Sequence, residues 1–360
     1  MHANDFHEKP FDEGTLTKLR IFELYAREWL PVFLSAERPR LPKIHLFDFF
    51  AGPGTDSSGQ LGSPLRLLRQ LKHYQERGGL KRACVEVHLF DESKEKTSQL
   101  KENIATHGLQ LPDLTFDVRP LAFSQAFRNC ERILEDPEAA KLVFIDQFGV
   151  DHVTPAVFRT LVSSPICDFL FFLSSSTLYR FHDIPAIKQK IARPDDYFHV
   201  HRAALDYYRS LLPSGMRYFL APFSIKKGAN IYGLIFGSAH PLGIDKFLQV
   251  AWQSDEISGE ADFDINRENI RPGEMLLAFE EMRPSKISAF DRELEHLLRA
   301  GLLVDEFDVM QVCFEHGVKR QHAEPVMAKL KREGVIDLDF RVPDVRRSLP
   351  RPIRHHRRGP

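Results

Sequence analysis

The sequence predicts an α/β fold: a doubly wound, mostly parallel sheet with a late antiparallel hairpin, joined to a small α+β module. Three observations carry this. Short apolar runs alternate with amphipathic segments five times between residues 43 and 174, the signature of strands linked by crossover helices. Two later apolar runs, Arg217 to Pro222 and Ile231 to Ser238, are separated only by a loop carrying Lys226-Lys227-Gly228, which reads as a hairpin tip. From Ser254 the composition turns polar, and several short helical patterns follow from Ser285.

The first element is a helix over Thr15 to Leu34, where Leu16, Leu19, Phe22, Tyr25, Trp29 and Phe33 recur at helical spacing. It is expected beside or over the mouth of the sheet. Ile44 to Phe50 reads as a strand buried on both faces, because only His45 and Asp48 interrupt its apolar run. Ala51-Gly52-Pro53-Gly54 makes a turn, a loop of about ten residues follows, and a helix starts with Ser63 as N-cap and Pro64 behind it. A βα connection is usually two to six residues, so this loop is long enough to be functional.

Ala83 to Phe90 is the second strand, ending in Asp91-Glu92, and Ser93 to His107 is the next helix, stopped by Gly108. Leu114 to Val118, Leu142 to Ile145 and Asp168 to Leu173 are the third, fourth and fifth strands. Helices over Phe123 to Glu135 and Pro155 to Ser163 lie between them. Further helices are expected over Ile184 to Arg193, His199 to Leu212 and Pro241 to Trp252. The module has helices over Ser285 to Ala300, Glu306 to Phe314 and Gln321 to Glu333, then an extended segment to Phe340. Helices followed by Gly334 and alternating apolar residues give a winged-helix-like pattern, with Pro325 confined to the first turn of its third helix. The expected organisation is an N-terminal helical extension packing on the core (1–42), an α/β domain (43–253), a linker (254–284), the winged-helix-like domain (285–340) and a basic disordered tail (341–360).

The 360 residues are 43% hydrophobic and 28% charged with a net charge of −1, so there is no global electrostatic pull towards nucleic acid or membrane. No apolar run reaches the roughly 18 residues of a spanning helix, and the opening residues lack a signal-peptide core. Cys84, Cys130, Cys167 and Cys313 are scattered without CxxC spacing, which reads as reduced cytoplasmic thiols. No metal site is read from the sequence; the His355-His356 pair has no clustered ligands near it.

The chemistry gathers at strand ends. Gly52 and Gly54 lack a Cβ, so a ligand can approach their backbone, although a plain βα turn has the same appearance. The dinucleotide fingerprint needs a third glycine where Ser57 stands, which argues against a nicotinamide cofactor. Asp48 ends the first strand and either accepts a hydrogen bond from a ligand or orients the loop. Asp91 ends the second strand, with Glu92 as its competitor. Phe123 follows the third strand and either stacks on a ring or packs in the core. Asp146 and Gln147 end the fourth strand; the first suits a general base or a polar orienter, and the second offers both an amide donor and an acceptor. Ser174-Ser175-Ser176 ends the fifth.

Taken together, TLTKLRIFELYAREWLPVFL, HLFDFFAGPG, GSPL, IDQFG and DFLFFL resemble the three-Cys-motif partner proteins, over about Thr15 to Trp252. The resemblance implies a Rossmann-like class I methyltransferase fold and S-adenosylmethionine as cofactor. It places the ligand on Asp48, Phe50, Ala51, Gly52 and Gly54, with Asp91 on the ribose hydroxyls and Phe123 near the adenine. It implies a phage-type three-Cys-motif protein as partner. The family's Asp-Pro-Phe-Gly reads Asp146-Gln147-Phe148-Gly149 here, so a substrate role for Gln147 by analogy departs from the pattern. The function expected is that of a methyltransferase-like protein acting on nucleic acid or beside a nucleic-acid-associated partner. The alternatives are a non-catalytic partner subunit and a DNA-binding regulator. Nucleic-acid contacts would fall on the tail, Lys319-Arg320 and Lys329 to Arg332.

Overall fold

The computed structural model describes residues 9–35, 41–147, 152–174, 200–227, 230–254, 256, 259 and 285–356. The helix expected over Ile184 to Arg193, most of the 254–284 linker, Phe148-Gly149 and Ser175-Ser176 lie outside them.

Seven strands form one sheet: β1 (Lys43–Asp48), β2 (Cys84–Asp91), β3 (Leu114–Pro120), β4 (Ala139–Ile145), β5 (Cys167–Ser174), β6 (Phe219–Lys227) and β7 (Asn230–Ser238). Their spatial order is β3-β2-β1-β4-β5-β7-β6. The first five are parallel, and β7 runs antiparallel to both β5 and β6. This is the Rossmann-like sheet with a late hairpin anticipated from the apolar runs. The chain winds outward from β1 in one direction and from β4 in the other, so the β1–β4 boundary is a topological switch point.

Strand alternation sends side chains to two cores. On one face, Ile44, Leu46, Val87, Leu142, Phe144 and Phe172 pack under α1 (Glu13–Leu34), α2 (Ser63–Glu76), α3 (Lys94–Thr106) and α7 (Pro241–Ala251). On the other, Phe47, Phe49, Val143, Phe169 and Phe171 pack under α4 (Phe123–Leu134), α5 (Pro155–Ser163) and α6 (Val200–Ser210). Both faces of the central strands are therefore apolar, as for a covered parallel sheet.

Helix α1 is capped by Asp12, whose side chain accepts from Thr15 N. It is a face helix rather than a lid. Phe22 stacks on Phe144 at 4.1 Å, and Tyr25 reaches Asp168 at the amino end of β5 at 2.6 Å. Only its first turns stand at the carboxyl end of the sheet.

Strand β6 continues past Pro222, where the sequence places its end, because β6 is the sheet edge and Pro222 needs no ladder donor there. Strand β4 begins at Ala139, three residues early, because Lys141 is buried with Nζ donating to the Asp136 carbonyl at 2.5 Å.

The C-terminal module contains α8 (Ser285–Arg299), α9 (Glu306–Glu315), α10 (Ala323–Arg332) and a two-stranded ribbon, β8 (Ile336–Asp337) with β9 (Arg354–His355). It shares one hydrophobic core with the sheet: Phe219 meets Phe314 edge-on at 5.7 Å, and Trp252 Nε1 donates to the Gly317 carbonyl. The expected disordered tail is corrected for residues 341–356. Val345 and Ile353 are buried, β9 pairs with β8, and Arg351 Nη2 lies 2.7 Å from Glu306 Oε2. A basic, proline-rich composition conceals these two apolar anchors and the acidic partner.

Candidate functional site

The site forms where the turn after β1 meets the ends of β2 and β4, outside the switch point, where open α/β sheets bind ligands. Gly52 and Gly54 have φ of 57° and 88°, a left-handed backbone that side-chain-bearing residues rarely adopt. At Gly54 a Cβ would also stand 2.8 Å from Leu100 Cδ1. Two neighbours hold the turn: Ala51 N donates to the Phe90 carbonyl at 2.8 Å, and Gly52 N donates to Asp91 Oδ2 at 3.1 Å.

Asp91 Oδ1 accepts from Ser93 N at 2.9 Å, so its carboxylate joins the β1 turn to the start of α3. Glu92 is exposed and makes no such link, which separates the two competing acids. An ionised carboxylate has about four acceptor positions, so Asp91 keeps capacity for a diol.

Asp48 is fully buried at the end of β1. Its Oδ1 accepts from Phe50 N at 3.1 Å, while Oδ2 is buried with no hydrogen-bond partner among the described residues. Burial pushes its pKa up to about 7; the Ser63 hydroxyl, near the carboxylate but outside hydrogen-bond geometry, and the Phe50 amide oppose the rise, and the charges of Asp146 and Asp91 add to it. Gly62, rather than Ser63, is the N-cap of α2. A buried orphan acceptor is a cost unless a donor reaches it.

Phe50 and Phe123 stack at 5.5 Å with a 13° interplanar angle, and His152 lies 5.2 Å from each. Phe123 is buried and Phe50 half-buried, so Phe50 offers the more accessible ring.

The sequence places Asp146 and Gln147 together as reacting groups, and the structure separates them. Asp146 Oδ2 takes a short hydrogen bond from Lys18 Nζ of α1, whose ammonium also sits 5.0 Å from the Phe172 ring. Gln147 is held by backbone groups: Nε2 donates to the Phe172 carbonyl at 3.0 Å, and Oε1 accepts from His152 N and Val153 N at 3.1 and 3.2 Å. It ties β4 to β5 and to the segment before α5. Lys18 is the residue missed by sequence reading; its only signal is a cation one turn before Phe22 on the core-facing stripe.

The long loop is closed on itself. Asp56 Oδ1 accepts from Ser58 N, Ser58 Oγ and Gln60 N, and Oδ2 accepts from Phe11 N at 2.6 Å. Asn103 Nδ2 donates to the Pro53 carbonyl at 2.8 Å, binding the turn to α3. A separate cavity of about 760 Å³ opens at the other end of the sheet, between α1, β5 and α7, lined by Tyr25, Trp29, Ile166, Asp168, His240 and Lys246.

The sheet topology defines a Rossmann-like α/β protein with a topological switch point between β1 and β4. No protein-family model matches the chain, and no curated protein matches it. Among solved structures it is similar to a SAM-dependent methyltransferase from Agrobacterium tumefaciens, 12% identical with a TM-score of 0.35, covering 64% of this chain and 63% of that one. It is also similar to the O-methyltransferase TomG from Streptomyces achromogenes in complex with SAM, 11% identical with a TM-score of 0.34, covering 63% and 89%. A third is Trm1 from Pyrococcus horikoshii with S-adenosyl-L-methionine, 14% identical with a TM-score of 0.38, covering 96% and 91%. Among the described residues, no helix is long and apolar enough to cross a membrane.

Proposed function

We propose that the protein binds S-adenosylmethionine in the crevice at the carboxyl ends of β1 and β2 and is a methyltransferase-like protein. The carrying observation is the buried, unpartnered Asp48 Oδ2 beside a left-handed glycine turn held by Asp91. These groups fit the cofactor's chemistry: Asp48 accepts from an ammonium, Gly52 and Gly54 admit close backbone contact, Asp91 accepts from the ribose diol, and Phe50 with Phe123 faces the base. When bound, the cofactor supplies an electrophilic methyl group on a sulfonium. This chain's part is placement and charge complementarity, and Asp146 is the polar group on the acceptor side of the switch point. Lys18 holds that carboxylate in place.

The acceptor proposed is nucleic acid or a nucleic-acid-associated partner, reached through the winged-helix-like module; the helices α8 to α10 and the β8–β9 ribbon support that reading of the module. A non-catalytic subunit bound to a three-Cys-motif protein is the second reading, favoured by two observations. Gln147 is occupied by backbone groups. The basic residues of the module are largely paired: Arg320 with Asp245, Lys329 with Glu295, Arg341 with Glu324 and Arg351 with Glu306. Incubation with methyl-labelled S-adenosylmethionine and, separately, DNA, RNA and total protein tests the choice. Label in DNA or RNA supports the first reading; cofactor binding without transfer to any of them supports the second.

A further inference from the structure

Three metal-ligating side chains converge on the half of β1 and β2 away from the glycine turn. Parallel pairing sets His45 beside Glu86 and Phe47 beside His88, so His45, Glu86 and His88 all project to the sheet face that carries Phe47 and Phe90. His45 and His88 are each three residues before the site carboxylates Asp48 and Asp91. An offset of three puts them on the opposite face, about 10 Å along the strands.

His45 Nδ1 and His88 Nε2 are 3.0 Å apart, and Glu86 Oε2 lies 3.6 Å from the first and 3.7 Å from the second. A point equidistant from three atoms with those separations is about 2.0 Å from each, the length of zinc–imidazole and zinc–carboxylate bonds. At most one proton lies between the two ring nitrogens, and Glu86 is too far to share it. Loss or tautomeric shift of that one proton leaves three Lewis-basic atoms facing one small volume.

The surroundings match a metal site beyond the ligands. His88 Nδ1, its second nitrogen, is buried without a hydrogen-bond partner and lies 3.5 Å from Asp117 Oδ2, close enough for a small ring rotation to join them. Asp117 is gripped by Arg119, with Nε and Nη2 at 2.6 and 2.5 Å from its two oxygens. A carboxylate behind a ligating histidine fixes its ring and tautomer. Phe47 stacks on His88 at 4.5 Å and 11°, holding the ring plane. The nearby cations Lys43 and Lys141 are both tied to Asp136, through its Oδ2 at 2.9 Å and its carbonyl at 2.5 Å. Both imidazoles are buried, while the Glu86 side chain is 32% exposed and marks the entry path.

We propose that His45 Nδ1, His88 Nε2 and Glu86 Oε2 bind one zinc-class divalent transition-metal ion, with solvent at the fourth position. The donor set, two imidazoles and one carboxylate on rigid strands, suits zinc or cobalt and not calcium or magnesium, which take oxygen ligands. The ion would lock β1 to β2 in their amino-terminal halves, about 10 Å along the strands from Asp48 and Asp91. Its binding is independent of the cofactor reading.

The test uses the metal-stripped full chain titrated with Co²⁺, read by visible absorption, and with Zn²⁺ in competition with a chromophoric chelator. One ion per chain and intense tetrahedral cobalt bands are expected. Glu86→Gln, a near-isosteric change at a partly exposed position, should weaken binding by at least about 100-fold. Asp117→Asn should weaken it by about 10–100-fold, the usual effect of losing a carboxylate behind a ligand. His45→Gln should abolish the cobalt bands. No uptake of either ion, or uptake that Glu86→Gln leaves unchanged, would overturn the proposal, the latter by placing the metal on other histidines.

Discussion

Asp91 Oδ2 accepts the Gly52 amide at 3.1 Å, and the same carboxylate accepts the Ser93 amide at 2.9 Å. One side chain thus fixes both the turn after β1 and the start of α3. Replacing it strands two backbone donors, a loss on the scale of about 1–3 kcal/mol. Asp91→Ala should lower stability within that range in urea unfolding. A variant as stable as the parent would show that the turn does not depend on this carboxylate.

Asp48 should make stability depend on pH. Its folded pKa, about 7, lies above the ordinary carboxyl value of 3.8. A raised folded value favours the folded state fully below the unfolded pKa, and that contribution is lost as pH rises through 7. Asp48→Asn removes the loss. Relative to the parent, the variant should gain stability between pH 4 and pH 8, measured by denaturant midpoints at each pH. A parent-to-variant difference that stays constant with pH would contradict this.

Glu306 is fully buried and held by Arg351, with Arg347 at 3.5 Å. Burial raises its pKa, but the Arg351 guanidinium and the amides of Asp344 and Arg351 outweigh it and hold the carboxyl below its usual range. Arg351→Met leaves the carboxylate buried with one arginine fewer. Breaking such a pair from one side costs about 3–5 kcal/mol, and Arg347 should reduce the loss towards the lower figure. Removal of residues 341–360 should cost at least as much, since Val345 and Ile353 go with them. Calorimetry showing an unchanged module transition would disprove it.

The pair of Lys18 and Asp146 is only 15% and 19% exposed at the side chains. A double-mutant cycle with Lys18→Met and Asp146→Asn should give a coupling energy of about 1–2 kcal/mol in equilibrium unfolding. Additive effects would mean the contact is electrostatically idle.

The sheet was legible because its strands are near-continuous apolar runs, and strand periodicity with glycine turns identifies them without any partner. Phe50 to Gly54 was legible for the same reason: a left-handed turn needs glycine. The backbone contacts of Gln147 were not legible, because a chemically versatile side chain looks the same whether it meets a substrate or the Phe172 carbonyl. Residues 341–356 were misread because Arg351 looks solvated until Glu306, 45 positions earlier, is placed beside it. His45, Glu86 and His88 carry no spacing motif; register between two strands brings them together, and one strand alone does not show it.

The most direct measurement is isothermal titration of the full chain, parent and Asp91→Ala, with S-adenosylmethionine and its demethylated product. The expected result is saturable binding of one cofactor per parent chain. Asp91→Ala should bind about 5- to 150-fold more weakly, the equivalent of about 1–3 kcal/mol for lost charge-assisted hydrogen bonds. Absence of binding by the parent, or equal affinity in the variant, would contradict a cofactor seated on Asp91 at the carboxyl ends of β1 and β2.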